Sequence, residues 1–153
     1  MFALVRRYVK VRATAEDVFH DGFVALYTKI GDYRGEGSFE GWMKRIFVNA
    51  ALSQLRTLHP GRTLDDDVGD LPPGVVDGAP PEALARLGNE ELMRLVNELP
   101  EGFRTVLMLH AVEGFKHKEI AHMLDISEAT SRTQYIRARA RLAELIEKEE
   151  HFY

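Results

Sequence analysis

The most informative part of the chain is KHKEIAHMLDISEATSRTQYIRARARL, residues 116–142. Apolar residues recur at helical spacing from about Lys118 to Leu124, which predicts a short helix. The residues of this helix predicted to point inward are Ile120, Ala121 and Leu124. Asp125 follows, and Asp tolerates the left-handed conformation of a tight turn better than most residues do. Ser127 is placed to cap a second helix, because its hydroxyl can accept a hydrogen bond from a free backbone N–H.

The second helix of this segment is predicted from Ser127 onward and is unusually rich in arginine. Its inward stripe is predicted from apolar residues at three- and four-residue steps, namely Tyr135, Ala138, Leu142 and Leu145. The residues predicted to point away from that stripe are Ala129, Thr133, Ile136 and Arg137, with Arg132 on their flank. A helix that buries one face and offers guanidinium and hydroxyl groups on the other suits the major groove. The pattern therefore predicts a helix-turn-helix, with DNA as its partner.

The composition is that of a globular protein with one domain or two small ones. Of the 153 residues 45% are hydrophobic and 29% are charged, and there is no cysteine, so disulfide and thiolate chemistry are excluded. No segment approaches the ~18 apolar residues of a membrane span, and the N-terminus lacks a signal-peptide pattern. We therefore expect a cytoplasmic protein without membrane insertion.

Charge is segregated along the chain, although the net charge of −4 is unusual for a nucleic-acid binder. Residues 1–58 carry nine Lys/Arg against six Asp/Glu, and residues 59–88 carry two against six. Residues 89–153 carry nine against twelve, but positions 116–141 hold six basic and three acidic residues. Local sign, rather than the total, decides which surface attracts a polyanion.

The distribution of helix formers and breakers divides the chain into three parts. Residues 59–88 hold five of the six prolines, several glycines and the run Asp65-Asp66-Asp67. So many breakers with little apolar periodicity predict a linker. Residues 1–58 and 89–153 have helical periodicity, and neither contains a convincing strand pattern. The sequence therefore predicts an all-α fold of two small helical domains joined by a flexible acidic linker.

The first domain is predicted to contain three helices. The first runs from Phe2 to Lys10, and Thr14 is predicted to cap the second. The inward stripe of the second helix is predicted to be Phe19, Phe23, Leu26 and Ile30. A glycine-rich break, GDYRGEGS at residues 31–38, precedes the third helix, which Ser38 caps and which runs to about Arg56.

The third helix, with the sequence SFEGWMKRIFVNAALSQLR, combines aromatic and basic residues. Its predicted apolar face consists of Phe39, Trp42, Met43, Ile46, Phe47 and Ala50. Three basic residues lie outside this face, namely Lys44, Arg45 and Arg56. Aromatic and basic groups beside a glycine-rich loop suit single-stranded nucleic acid, because bases stack on rings while cations follow the backbone.

Four residues near this helix call for individual interpretation. The helical spacing of Phe39 and Trp42 favours a place in the core over direct base stacking. Tyr33 lies in the loop, where packing explains an aromatic residue less easily. Asn49 lies close to the apolar face, so it needs a hydrogen-bond partner there or works at the edge.

The second helix carries acidic groups and a histidine on its polar side, at Glu16, Asp17, His20 and Asp21. Acids near a helix N-terminus are ordinarily partners of the helix dipole. Protein binding is the alternative role for this face.

Two long segments resemble a known family. AEDVFHDGFVALYTKIGDYRGEGSFEGWMKRIFVNAALSQLR, residues 15–56, is similar to sigma region 2, with its F/Y-R-G-E-x-S-F loop, a Trp and an R-I-x-x-N. LPEGFRTVLMLHAVEGFKHKEIAHMLDISEATSRTQYIRARARL, residues 99–142, is similar to sigma region 4. In this order and separated by a linker, they resemble the sigma-70 family, specifically the extracytoplasmic-function sigma factors of bacterial RNA polymerase.

This resemblance implies a transcription initiation factor that binds core RNA polymerase, recognises the minus-ten and minus-thirty-five promoter elements and helps open DNA. Region 2 would be residues 1–58, the linker 59–88 and region 4 residues 89–153. The residues implied to contact the polymerase are Asp17, His20 and Asp21. Those implied to bind the minus-ten element or the melted strand are Tyr33, Arg34, Ser38, Lys44, Arg45, Asn49 and Arg56.

The resemblance also implies roles in the second domain. The residues implied to read bases of the minus-thirty-five element are Arg132, Thr133, Ile136 and Arg137. Those implied to lie nearer phosphates are Lys116, Lys118, Arg139 and Arg141. The acidic linker would thread the RNA exit path, and an anti-sigma factor is implied as a further partner. Family members usually have a longer first helix with residues ahead of it, whereas this chain begins inside that helix, and the sequence leaves open whether its N-terminus is truncated or its start codon late.

Parts of the sequence also suggest two other classes of function. A stand-alone helix-turn-helix regulator explains residues 116–142 equally well, but not the aromatic and basic third helix. A zinc enzyme is suggested superficially by His117 and His122, but the metalloprotease motif needs histidines four apart with Glu directly after the first. Here the two histidines are five residues apart, and Glu119 is the second residue after His117 rather than the first. We therefore expect no catalysis, no metal and no cofactor.

Overall fold

The structure is a computed structural model that describes residues 1–58 and 87–152. Every regular element in these two ranges is helical, which confirms the predicted all-α fold. The α-helices are α1 Phe2–Tyr8, α2 Arg12–Lys29, α3 Phe39–Leu58, α4 Asn89–Asn97, α5 Glu101–Leu107, α6 His117–Leu124 and α7 Glu128–His151. The run Asp65-Asp66-Asp67 and almost all of the predicted acidic linker lie outside the described residues.

Two compact units make up the chain, Met1–Arg62 and Thr63–Tyr153. In the first, α1, α2 and α3 pack around one apolar core. Its most deeply buried side chains are Val5, Val9, Ala15, Val18, Phe47, Val48, Ala51 and Leu52. The ring of Phe47 lies against the backbone of Gly22, where a Cβ atom would be 2.4 Å from Phe47 Cδ1. Gly22 thus lets α2 and α3 approach closely.

The predicted inward stripe of α2 is partly wrong. Ala15, Val18 and Gly22 are buried, whereas Phe23 and Ile30 are 52% and 54% exposed. The buried face starts earlier in the sequence and uses smaller residues, because α3 needs close contact at Gly22. The aromatic ring of Phe23 still touches the edge of this core through Phe47, at 5.9 Å between centroids.

The predicted start of α2 is also wrong. The helix begins at Arg12, and its N-cap is Val11, which makes no side-chain capping hydrogen bond. Thr14 therefore lies inside the first turn. Glu16, which the sequence suggested as a dipole partner, instead pairs with Arg12, with 3.1 Å between Arg12 Nε and Glu16 Oε1.

In the second unit α7 is the longest element, and α5 and α6 pack along it. Its core is formed chiefly by Leu95, Val106, Leu109, Ile120, Ala138, Leu142 and Ile146. The chain continues from α5 into one π-helical turn, Met108–Val112. Near its end α7 is tied to α4 by an ion pair of 2.5 Å between Glu149 Oε2 and Arg94 Nη2, which raises the pKa of Arg94.

The helix-turn-helix forms as predicted at its turn. Asp125 adopts the left-handed conformation with φ 55° and ψ 49°, and its N–H donates to the carbonyl of Ala121. Ser127 Oγ accepts from the backbone N–H of Thr130 at 3.0 Å. α6 thus ends and α7 begins within a few residues, and local hydrogen bonds define the turn between them.

The inward face of α7 is only partly the predicted one. Ala138 and Leu142 are buried, as expected, but Tyr135 and Leu145 are half-buried. The buried face instead begins with Ser131 and Gln134, which are 0% and 1% exposed. The periodicity of apolar residues gave no sign of them because both are polar.

Candidate nucleic-acid interface

The exposed side of α7 begins immediately after the turn. Arg132 and Ile136 are exposed, and Thr133 between them is half-buried. Ile136 lies one turn beyond both Thr133 and Arg132, three and four residues away, so it is their neighbour on one side of the helix. A guanidinium, a hydroxyl and an apolar side chain in this order match the chemistry of base edges, since Arg pairs with guanine and apolar groups contact the thymine methyl.

Arg132 is held in place by an ion pair with Glu128 on the preceding turn. Both groups are exposed, with 58% of the Arg132 side chain accessible. An exposed pair of this kind contributes only ~0.2–1 kcal/mol. The guanidinium can therefore exchange the carboxylate for a base edge at small cost.

Arg137 lies closer to the body of the unit than the sequence predicted. Its side chain is half-buried, and within the described residues its Nε atom is buried without a hydrogen-bond partner. A buried donor without an acceptor costs free energy. Only the rest of the half-buried side chain is accessible to a partner, because the Nε atom itself is covered.

The four predicted phosphate contacts are spread over two helices. Lys116 and Lys118 are exposed at the start of α6. Arg139 lies over the ring of Tyr135, with its Cζ atom 5.7 Å from the ring centroid. Arg141 pairs with Glu144 at 2.5 Å and lies about 14 Å further along α7 than Arg132, at 1.5 Å per residue. Two of the four thus lie at the start of α6 and two on α7, beyond Arg132.

A pair of histidines, His110 in the π-helical turn and His117 at the start of α6, was not predicted from the sequence as a cluster. His117 Nδ1 lies 2.8 Å from Ser131 Oγ on α7, and the rings of His117 and His110 stack at 4.2 Å between centroids. Tyr135 packs edge-on against both rings. The residue types were visible in the sequence, but His117 lies 14 residues before Ser131. Sequence spacing alone therefore gave no reason to place them in contact.

The glycine-rich loop of the first unit has a defined shape. Gly35 and Gly37 both have φ 73°, a conformation that favours glycine because it has no Cβ. The hydroxyl of Tyr33 donates to the carbonyl of Gly37 at 2.9 Å. Ser38 then caps α3, with its Oγ accepting from the N–H of Gly41 at 2.9 Å, as predicted. Arg34 is exposed within this loop.

Three aromatic rings pack together where this loop meets α3. Ring centroids are 5.3 Å apart for Tyr33 and Phe39, 5.3 Å for Tyr33 and Trp42, and 5.7 Å for Phe39 and Trp42. Packing therefore explains Tyr33, contrary to the sequence interpretation. The assignment of Phe39 to the core is wrong, since it is 42% exposed. The cluster is an aromatic platform at the surface with one open ring.

Polar and basic residues line the outer side of α3. Lys44 pairs with Glu40 at 3.4 Å, and Arg45, Asn49 and Arg56 are exposed. Asn49 thus lies on the solvent side and not at the apolar face. Arg45, Asn49 and Arg56 recur at steps of four and seven residues, so they share one face of the helix.

The predicted polymerase-binding residues are accessible. Asp17, His20 and Asp21 are all exposed on α2. Next to them, Val24 and Tyr27 are 54% and 84% exposed. Charged groups beside exposed apolar side chains are typical of a protein-binding surface.

Two further observations bear on the class of protein. Among the described residues no group of three or more His, Cys, Asp or Glu side chains could hold a metal ion. No helix in the described part of the chain is long and apolar enough to cross a membrane.

Comparison with known proteins gives matches for both units. Residues 1–59 match the Sigma-70 region 2 family, and residues 89–142 match the Sigma-70, region 4 family. The ECF RNA polymerase sigma-E factor of Haemophilus influenzae is 32% identical over 147 residues, covering 89% of this chain and 76% of that protein. The chain belongs to the sigma-70 family, as an extracytoplasmic-function sigma factor. It is thus a transcription initiation factor.

Further relatives agree with this assignment. The RNA polymerase sigma-H factor of Pseudomonas aeruginosa is 29% identical to this sigma factor over 148 residues, covering 91% of this chain and 76% of that protein. CnrH, solved in complex with the cytosolic domain of CnrY, has a TM-score of 0.54 and 25% identity, covering 95% of this chain and 79% of CnrH.

A second solved structure supports the fold. The sigma factor RpoE of Bartonella quintana, in complex with the anti-sigma factor NepR, has a TM-score of 0.62 and 23% identity. The match covers 95% of this chain and 89% of RpoE. The family assignment favours initiation with RNA polymerase over a stand-alone helix-turn-helix regulator.

Proposed function

We propose that this sigma factor reads promoter DNA with two surfaces, one in each unit. The observation that carries the proposal is the exposed side of α7. Arg132 and Ile136 lie there in the first turns of the helix, shortly after the turn formed by Asp125 and Ser127. A helix held rigidly at its N-terminus can place those side chains in a major groove. We keep the predicted division into residues 1–58, 59–88 and 89–153 for the two domains and the linker.

The upstream, minus-thirty-five element is read by α7. Arg132, Thr133 and Ile136 contact base edges, and Arg137 reaches the DNA with the accessible part of its half-buried side chain. Lys116 and Lys118 at the start of α6 contact phosphates, as do Arg139 and Arg141. This assignment is supported by their positive charge and by their positions at the start of α6 or on α7 itself.

The downstream, minus-ten element is held by the aromatic platform and the loop before it. Phe39 offers the open ring, while Tyr33 and Trp42 brace it from behind. Stacking of one unpaired base on such a ring contributes ~1–3 kcal/mol to the binding free energy. The polar and basic groups around the platform follow the strand, namely Arg34, Ser38, Lys44, Arg45, Asn49 and Arg56.

Protein partners bind elsewhere on the chain. Core RNA polymerase docks on α2 through Asp17, His20 and Asp21, which lie beside exposed apolar side chains. An anti-sigma factor is a further partner, because RpoE was solved with NepR. The protein acts in the cytoplasm and has no catalytic activity of its own.

Run-off transcription with core polymerase on randomised promoters tests the proposal. We expect initiation only when this protein is present, at templates that share two spaced elements. Sequence-specific duplex binding without any initiation would instead support a stand-alone regulator. Arg132→Ala should lower discrimination at one upstream base pair by ~1–3 kcal/mol. Equal weakening on every sequence would reassign Arg132 to a phosphate contact.

A further inference from the structure

His117 joins the two helices of the helix-turn-helix. It is the first residue of α6, and its Nδ1 lies 2.8 Å from Ser131 Oγ. Ser131 is completely buried and immediately precedes Arg132, the exposed arginine of the recognition surface. His117 is thus connected to Arg132 through one buried hydroxyl and one peptide bond.

His110 holds His117 from the other side. The Nδ1 of His110 donates to the backbone carbonyl of Phe115 at 2.8 Å, because a carbonyl oxygen can only accept. The two imidazole planes are inclined by 17°, which makes them nearly parallel. Since the ring centroids are 4.2 Å apart, a positive charge on either ring acts on the other at short range.

Positive groups dominate the surroundings of His117. Burial lowers its pKa most, followed by the charges of His110 and Arg132, while Glu128 opposes them. The positive end of α6 also lies at this residue. The titratable and charged groups facing the pair are His110 from the π-helical turn, Lys116, Lys118 and Glu119 around the start of α6, and Glu128, Arg132, Tyr135 and Arg139 from α7.

We propose that His117 is a positioning residue for the recognition helix and works only as a neutral ring, so that binding of duplex DNA weakens when it takes up a proton. A charged His117 is repelled by Arg132 and by any charge on His110. It relieves that repulsion by moving away from His110, and the start of α6 then shifts relative to Ser131. This inference rests on the proposed role of α7 in reading the upstream element.

The sign of the effect distinguishes this role from an ordinary DNA-binding histidine. A histidine beside a phosphate binds DNA more tightly when it is protonated, because the added charge is attracted to the backbone. A positioning histidine whose protonation disturbs α7 gives weaker binding at acidic pH. The pH profile therefore separates the two possibilities.

The test uses the full chain and a duplex enriched from a randomised pool. Its dissociation constant is measured near pH 7.5 and near pH 5.5 at constant ionic strength, with weakening of more than about threefold expected, since one unit of pKa difference between two states corresponds to about tenfold. His117→Asn keeps a polar group near Ser131 but does not titrate, so it should lose most of this pH dependence. The matched control is His122→Asn, an exposed histidine on the same helix, which should keep it.

Three results would overturn the proposal. They are tighter wild-type binding at acidic pH, a wild-type affinity that does not change with pH, and equal pH dependence in wild type and His117→Asn. If His117→Asn does not fold, NMR titration of the wild type decides the question. The amide signals of Ser131 and Arg132 should shift together with the His117 ring, and their insensitivity would also refute the proposal. Run-off transcription with core polymerase that shows no preference at an upstream element would refute the proposed function alone, because the NMR titration requires no DNA.

Discussion

Gly22 has no room for a side chain. A Cβ atom there would lie 2.4 Å and 2.6 Å from two ring carbons of Phe47. That ring is fully buried and stacks on Phe19 at 5.5 Å, so it has little freedom to yield. We expect Gly22→Ala to destabilise the first unit by ~1–3 kcal/mol, although Ala is the better helix former by about 1 kcal/mol.

Denaturant titration followed by Trp42 fluorescence measures this effect, because Trp42 is the single tryptophan and lies in the first unit. The matched control is Gly31→Ala, where a Cβ meets nothing within 4 Å. It should leave the free energy of unfolding nearly unchanged. A neutral Gly22→Ala variant would mean that α2 and α3 separate more easily than their packing indicates.

Tyr33 combines two roles that separate variants can distinguish. Tyr33→Phe removes only the hydrogen bond to Gly37, worth ~0.5–1.5 kcal/mol, and leaves the aromatic platform. Tyr33→Ala removes the ring that braces Phe39. We expect Tyr33→Ala to spare duplex binding but slow strand opening, measured by permanganate reactivity of unpaired thymines with core polymerase. Tyr33→Phe should be close to wild type, and unchanged footprints in both variants would contradict the role of the platform.

The turn of the helix-turn-helix permits a prediction at the level of the element. Asp125 is the one described non-glycine residue with positive φ, and glycine adopts this conformation without steric cost. Asp125→Gly should therefore stabilise the second unit by ~0.5–1 kcal/mol. Ser127→Ala should destabilise it by about 1 kcal/mol through loss of the cap. Amide hydrogen exchange in α6 and α7 measures both, and changes of the same sign would disprove this account of the turn.

The pH dependence of stability in this element follows from His117. Its pKa in the folded chain lies below the ordinary 6.5, so the unfolded chain binds more protons between the two values. Stability is therefore fully present above 6.5, falls as pH decreases through this interval and becomes level below it. Hydrogen exchange in α6 and α7 between about pH 8 and pH 5 should show this fall in the wild type and in His122→Asn. The same fall in His117→Asn would assign it to another group.

Sequence patterns predicted the elements better than the faces they bury. The turn at Asp125 and the caps at Ser38 and Ser127 were predictable because their chemistry is local. The buried face of α2 was not, since the space left by Gly22 depends on Phe47 in another helix. Ser131 and His117 were missed for the same reason, because a polar pair becomes a buried contact only once α6 and α7 have met.

At the scale of the whole molecule, the local distribution of charged residues matters more for DNA binding than the net charge. The net charge is −4, yet Lys116, Lys118 and Arg132 are exposed together around the helix-turn-helix. On α7 acidic groups become frequent only beyond Arg141, where Glu149 is used to tie the helix to α4. Such separation leaves a local positive surface for DNA while the excess acid opposes non-specific association with other polyanions.

If each unit reads its own promoter element, variants in the two units should change different parts of one promoter. We expect Arg132→Ala to relax the sequence preference of run-off transcription at the upstream element and to leave the downstream element unchanged. Tyr33→Ala should lower initiation most on templates whose downstream element opens least readily, with the upstream preference unchanged. The measurement is deep sequencing of transcripts from one randomised promoter library with core polymerase. Arg141→Ala serves as the control, because a phosphate contact lowers initiation about equally on all sequences. If Arg132→Ala changed the downstream preference as strongly as the upstream one, the two units would not act as separate readers, and the assignment of one element to each would fail.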